Sequence, residues 1–205
     1  DLKKYTYMSS NEAKRLTQQL LPNERWQHKE EVFTTQRPNI ILVILESFSS
    51  NALEAMPNLM RLAQEGIYFS NAYSSSYRTD RGVVSLLSAY PGQPTSSLMT
   101  VPSKSRNLPQ IGKALKQEGY ISHFYYGGDE DFTNMRSYLI DGGFENRVVD
   151  KDFPIQDRMS KWGVHDHIIF SRATHEIRQR YTQCPDHHYL DVILTLSSHE
   201  PFEVP

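Results

Sequence analysis

Between Asn39 and Leu45 six apolar residues follow one another without a break, and the chain then turns polar at Glu46-Ser47. A short, continuous β-branched and aliphatic run of this kind predicts a buried strand of a parallel sheet. Further strands are predicted at Ile67–Tyr73, Ile121–Tyr126 and Tyr189–Leu196. Between them the apolar spacing lengthens to that of a helix. Pro57–Gln64 places Leu59, Leu62 and Ala63 on one face, with Pro57 in the first turn and Gly66 as the stop. Helices are also predicted from Thr79-Asp80 through Leu87, over Leu108–Gln117, over Phe132–Leu139 and over His165–Tyr181. Pro91–Asn107 is rich in Pro, Ser and Thr and reads as a loop.

Strands alternating with helices imply an α/β fold with a mostly parallel sheet flanked by helices. Ahead of it, Asn11–Leu21 has Ala13, Leu16 and Leu20 at helical spacing, and Pro22 ends the pattern. Residues 1–37 are therefore expected to be a helical linker, with the core in 38–205. The last predicted strand is followed by neither a closing helix nor a final edge. The domain is expected to be truncated on its C-terminal side and to continue past Pro205.

Composition narrows the function classes. The 205 residues carry 22 Lys+Arg against 24 Asp+Glu, a formal net charge of −2, so no basic field calls for nucleic acid. The longest apolar run has six residues, whereas a membrane-spanning helix needs about 20. The one cysteine, Cys184, can close no bridge within the chain, and Asp1–Tyr7 carries no signal-peptide pattern. There is no Walker loop, no G-x-S-x-G, no zinc-finger spacing and no Rossmann glycine fingerprint.

Ligands of open α/β sheets bind beyond the carboxyl ends of the strands. Three predicted strands end there in unusual residues: the first at Glu46, another at Gly127-Gly128-Asp129, the last at His199. A carboxylate directly after six apolar residues needs a cation or several donors, and its oxygens suit a hard divalent metal. A salt bridge or a cap on the next helix would satisfy it as well. Thr79 stands at a predicted helix start, where backbone N–H groups and the helix dipole attract anions. Metal contact there would make its hydroxyl a nucleophile, and an ordinary N-cap is the plain alternative. Arg78 and Arg81 flank it as possible phosphate contacts or as solvated surface. Arg136 could fork onto phosphate oxygens or form a surface salt bridge. His199 could meet a phosphate, act as general acid, or bond to backbone. His165 and His167 fit a helix start better than a metal site, and His187-His188 lies in a polar turn.

Several segments together resemble a known family. Pro38 to Phe48, Met56-Pro57-Asn58-Leu59, Gly66 to Asn71, Ser76 to Gly82, Phe124 to Asp129, Phe132 to Arg136 and Leu196 to Phe202 follow one another in the family's order. The set resembles the lipoteichoic acid synthase-like branch of the sulfatase/alkaline phosphatase superfamily, across residues 38–205. The resemblance implies a phosphoglycerol transferase working through a phospho-threonine intermediate. Glu46 and Thr79 would be metal ligands, Thr79 also the nucleophile, and Arg136 and His199 would hold the phosphate or head group. The metal would be manganese, with zinc or magnesium as alternatives. The donor would be a phospholipid head group and the acceptor a glycan or a lipid. The parent would be membrane-embedded, with this domain on the extracytoplasmic side.

The sequence departs from the family in two places. The family's remaining metal ligands, an Asp-His pair, have no match before Pro205, so this stretch alone is expected to be inactive or to hold metal poorly. Asn134 stands where an aromatic is expected two positions before Arg136, which puts the glycerol-phosphate head group in question. The C/S-x-P-x-R motif of true sulfatases is absent as well. A threonine nucleophile favours phosphoryl transfer, with sulfatase or phosphodiesterase hydrolysis, or a non-catalytic binding module, as the alternatives.

Overall fold

Four parallel strands set the frame of the computed structural model, which describes residues 6–20 and 32–203. The chain forms two units, residues 1–36 and 37–205. In the first, helix α1 spans Ser10–Leu20, and the Ser9 hydroxyl accepts the Glu12 N–H at 3.2 Å. The predicted stop at Pro22 lies outside the described residues.

In the second unit, β1 (Ile40–Ile44), β2 (Tyr120–Tyr126), β3 (Asn146–Val148) and β4 (His188–Leu194) lie in the order β1-β4-β2-β3. Every pairing is parallel. The register aligns Ile44, Leu194 and Tyr126 in one row, so three strands end level with one another at one edge.

Side chains alternate across the sheet. On one face Ile40, Leu42 and Ile44 pack with Leu190, Val192, Leu194 and Phe124. Three helices close over it: α3 (Thr79–Ser88) through Val83, Val84 and Leu87, α5 (Ile111–Gln117) through Ile111 and Leu115, and α6 (Met135–Asp141) through Met135, Tyr138 and Leu139. On the other face Tyr125 and Ile193 meet Ile169, Ala173 and Ile177 of α7 (Asp166–Gln183). Each fully buried side chain of this size contributes about 1.5–3 kcal/mol. Helix α2 (Pro57–Glu65) starts at its proline as the sequence implies, and a single turn, α4 (Pro102–Ser105), interrupts the expected loop. No helix among the described residues is long and apolar enough to cross a membrane.

Two expectations are corrected, and one strand goes unpredicted. Residues 67–73 are not a strand: Ile67, Phe69 and Tyr73 are exposed, and none of the four strands pairs with the segment. Strand propensity alone does not make a strand when no sheet edge takes up its backbone groups. β1 is parallel but sits at the edge of the described sheet. Its outer residues Ile41 and Val43 are exposed because the core under α7 takes in residues of β4, β2 and β3 and none of β1. The three residues of β3 are too short and polar a run to register as a strand in the sequence.

Candidate active site

The level carboxyl edge of β1, β4 and β2 gathers the polar residues that follow them. The turn after β1 is bonded to the one after β4: Thr195 N–H donates to the Ile44 carbonyl at 3.0 Å, and Glu46 N–H to Thr195 Oγ1 at 2.8 Å. Ser47 then takes a left-handed conformation (φ 52°), and its hydroxyl donates to Glu46 Oε1 at 3.3 Å. Glu46 is thus half-buried and held at its backbone, with its second oxygen turned to α3.

Thr79 is the first residue of α3, and its Oγ1 donates to Glu46 Oε2 at 2.9 Å. The two groups lie thirty-three positions apart in sequence and meet where the sheet edge faces a helix N-terminus. Arg78 occupies the N-cap in an extended conformation without a side-chain cap. The Arg81 N–H turns back to the Arg78 carbonyl at 3.2 Å, which leaves the Thr79 and Asp80 N–H groups to face an anion, with the helix dipole behind them. Arg78 Nε pairs with the buried Asp80 at 3.2 Å. Arg81 is not solvated surface: it is buried, its Nη1 donates to the Pro94 carbonyl at 2.8 Å, and its guanidinium lies 5.9 Å from the Tyr77 ring centre.

Behind β2 the chain folds tightly. A Cβ on Gly127 would stand 2.2 Å from the Val164 carbonyl oxygen, so only glycine lets the two backbones approach. The Tyr126 phenol is pushed up to about 12, first by burial and then by the carboxylates of Glu46, Asp129 and Asp150. The edge therefore has an acidic side facing this ring. Next, Thr133 and Asn134 take left-handed conformations, and Asn134 Nδ2 donates to the Met99 carbonyl at 3.0 Å. Arg136, the second residue of α6, is half-exposed, with Nε 3.7 Å from Glu130 and Nη1 3.7 Å from Asp131. Glu130, almost fully buried, also holds Arg147 Nε at 2.8 Å and Lys151 Nζ at 3.4 Å.

His199 follows β4 and bonds to backbone: Nδ1 lies 2.9 Å from the Glu200 carbonyl oxygen. Its ring is 4.3 Å from that of Trp162, which in turn meets Phe132 edge-on at 6.2 Å. Glu46 and Thr79 are thus brought into direct contact. No hydrogen bond or ion pair among the described residues joins Arg136 or His199 to them. His165 and His167 stand at the start of α7, His165 at its N-cap.

Glu46 and Thr79 supply two hard oxygen donors to a cation, fewer than the roughly four or more a divalent metal takes. Among the described residues no group of three or more His, Cys, Asp or Glu could hold one. The pair fits part of a coordination shell.

Sequence reading did not single out Trp162, Glu130, Asp166 or Tyr126. The signal available was a tryptophan in a Gly-containing turn just before a helix, and an acidic residue inside Gly127-Gly128-Asp129-Glu130-Asp131.

A sequence model of the sulfatase family matches residues 38–205. Phosphoglycerol transferase I of Xanthomonas campestris pv. campestris is 29% identical over 161 residues, 67% of this chain and 22% of that protein. Phosphoglycerol transferase I of Xanthomonas axonopodis pv. citri is 28% identical over 192 residues, 81% of this chain and 26% of that protein. Among solved structures, a protein in the alkaline phosphatase superfamily from Vibrio parahaemolyticus superposes with a TM-score of 0.76 at 27% identity, over 85% of this chain and 44% of that one. The lipoteichoic acid synthase LtaP from Listeria monocytogenes does so with a TM-score of 0.72 at 20% identity, over 82% and 42%. The chain thus spans about a quarter of the curated relatives and under half of the solved ones.

Proposed function

This chain belongs to the sulfatase family, and from that premise we propose that residues 38–205 form the nucleophile-bearing part of a phosphoglycerol transferase catalytic domain. The resemblance to the lipoteichoic acid synthase-like branch of that superfamily is borne out at the level of family and fold. The observation that carries the proposal is the Thr79–Glu46 contact, 2.9 Å, at an uncapped helix N-terminus on the carboxyl edge of a parallel sheet. A hydroxyl there has an acceptor for its hydrogen and an anion site in front of it.

In the proposed reaction Thr79 Oγ attacks the phosphorus of a phospholipid head group. The new Oγ–P bond replaces the P–O bond to the lipid, and the lipid hydroxyl leaves with a proton. Glu46 orients the Thr79 hydroxyl by accepting its hydrogen bond. The open N–H groups of α3, together with Arg136 and His199, are assigned to the non-bridging oxygens. A glycan or lipid hydroxyl then attacks phosphorus, and the phospho-threonine bond breaks to restore Thr79. Glu46 and Thr79 would hold a divalent cation, manganese with zinc or magnesium as alternatives, which would acidify the hydroxyl. The enzyme would be membrane-embedded, with this domain on the extracytoplasmic side.

The test uses the full-length enzyme with head-group-labelled phosphatidylglycerol. Thr79→Ala is expected to abolish turnover and labelling of the protein, whereas unchanged turnover would refute the nucleophile. Label found on an acceptor marks transfer. Label released only as free head group would replace transferase by hydrolase.

A further inference from the structure

The turn that carries His199 is clamped from two sides. On one, the Asp166 carboxylate at the start of α7 accepts the Leu196 N–H at 2.7 Å and the Ser197 N–H at 3.1 Å, and Ser197 Oγ accepts the Asp166 N–H at 2.9 Å. On the other, the Trp162 indole N–H donates to the Glu200 carbonyl at 2.7 Å. That same oxygen is the partner of His199 Nδ1 at 2.9 Å, and the two rings lie 4.3 Å apart. A carbonyl has two lone pairs and no hydrogen to give. Nδ1 must therefore carry the proton, and Nε2 is the bare nitrogen of the neutral ring. A free histidine side chain in water favours the opposite tautomer, so this fold works against the intrinsic preference.

Trp162 is itself fixed. Its backbone N–H donates to Ser160 Oγ at 3.2 Å, Phe132 backs the indole, and the Val164 N–H two residues on reaches the Gly127 carbonyl at 2.8 Å. The indole thus sits on the same backbone that closes the carboxyl end of β2.

We propose that Trp162 is a positioning residue: by packing its tilted ring against His199 and sharing the Glu200 carbonyl with it, the indole locks the Nδ1–H tautomer and presents Nε2 to the ligand. The neutral ring then offers Nε2 as a proton acceptor for a hydroxyl, and the protonated ring offers Nε2–H to a phosphate oxygen. This rests on the reading of His199 as a phosphate-facing group, and it adds the residue that decides which nitrogen does the work. Both parts of the indole matter, since phenylalanine would keep the ring contact and lose the donor.

The experiment is nitrogen-15 NMR of the full chain with labelled histidine, at a pH where the rings are neutral. His199→Gln identifies the His199 signals. Wild type is expected to show protonated Nδ1 and bare Nε2. Trp162→Phe should shift the balance part of the way towards Nε2–H, and Trp162→Ala most of the way. Glycerol 1-phosphate is then titrated in. The Nε2 signal should move in wild type, and about tenfold more ligand should be needed in Trp162→Ala, the worth of one misdirected hydrogen bond. A wild-type ring protonated on Nε2 overturns the proposal, as does a tautomer that neither Trp162 variant changes. If Trp162→Ala fails to fold, the conservative Trp162→Phe, which keeps the ring and removes only the donor, carries the test. A locked Nδ1–H ring whose Nε2 signal ignores glycerol 1-phosphate supports the clamp and refutes the reading of His199 as a phosphate contact.

Discussion

Acid should destabilise this fold in part through the imidazole of His123. The residue lies mid-strand in β2 on the face covered by α7, its side chain 14% exposed and its Nδ1 3.5 Å from Asp191 Oδ1. Asp191 is fully buried and already satisfied by Arg180 Nη2 and, at 3.2 Å, by the Tyr181 hydroxyl. The Tyr189 ring stands 6.0 Å away, and Glu176 accepts the Tyr125 hydroxyl nearby. A proton on His123 would add a second cation beside Arg180 with little water to screen it. Burial first and the Arg180 charge second lower its pKa from 6.5 to about 4, with Glu176 acting the other way. Below pH 6.5 the unfolded chain thus binds a proton that the folded chain refuses. Stability from this group is complete above 6.5 and is lost as the pH falls towards 4. Across that window the loss is about 3 kcal/mol, at no more than about 1.4 kcal/mol per pH unit. Urea midpoints of wild type and His123→Gln, taken in steps from about pH 7 to about pH 4, isolate it. The wild-type curve should fall more steeply. Parallel curves would refute the reasoning, because they would mean that His123 protonates as easily in the fold as outside it.

Glu130→Gln should cost about 2–3 kcal/mol in urea unfolding, because it leaves Arg147 without its charge partner, while the half-exposed Arg136 and Lys151 count for little. A loss below about 0.5 kcal/mol would show that water already screens the cluster. Gly127→Ala should cost about 1–3 kcal/mol by overpacking, since its Cβ would stand 2.2 Å from Val164 O and 2.7 Å from Leu196 Cδ2. It should also move the Trp162 and His199 resonances together, and a shift confined to neighbours of Gly127 would break that link. Tyr138→Phe leaves the buried Ser88 hydroxyl without its 2.6 Å partner and should lower stability by about 1 kcal/mol, read from the thermal midpoint.

The elements that could be read from the chain are those whose pattern is local. β1, β2 and β4 carry apolar runs of strand length, and α2, α3 and α7 carry apolar residues at helical spacing with visible starts. What stayed hidden depends on partners. Residues 67–73 have the composition of a strand, but pairing is decided by an edge elsewhere in the fold. β3 is a strand only because β2 offers it one, and Arg147 within it turns to Glu130 and not to a core. The exposure of Ile41 and Val43 likewise depends on how far α7 reaches across the sheet, which no residue of β1 encodes.

The same division runs through the candidate site. Glu46 and His199 were legible because each follows a strand, and parallel strands put their carboxyl ends on one edge whatever lies between them. Thr79 was legible as a helix start, but its meeting with Glu46 is a matter of how α3 lies over the sheet. Once Val83, Val84 and Leu87 are buried on the face shared by Leu42 of β1 and Val192 of β4, the first turn of α3 has to come out at the strand ends, and the hydroxyl reaches the carboxylate. Trp162 was not legible for the converse reason. Nothing in its surroundings along the chain points to His199, and the link runs through the Glu200 carbonyl, a backbone atom with no signature in the sequence. The side chains proposed to meet a ligand can thus be placed from where strands end, whereas the one proposed to orient His199 becomes visible only when the backbone acceptors are in place.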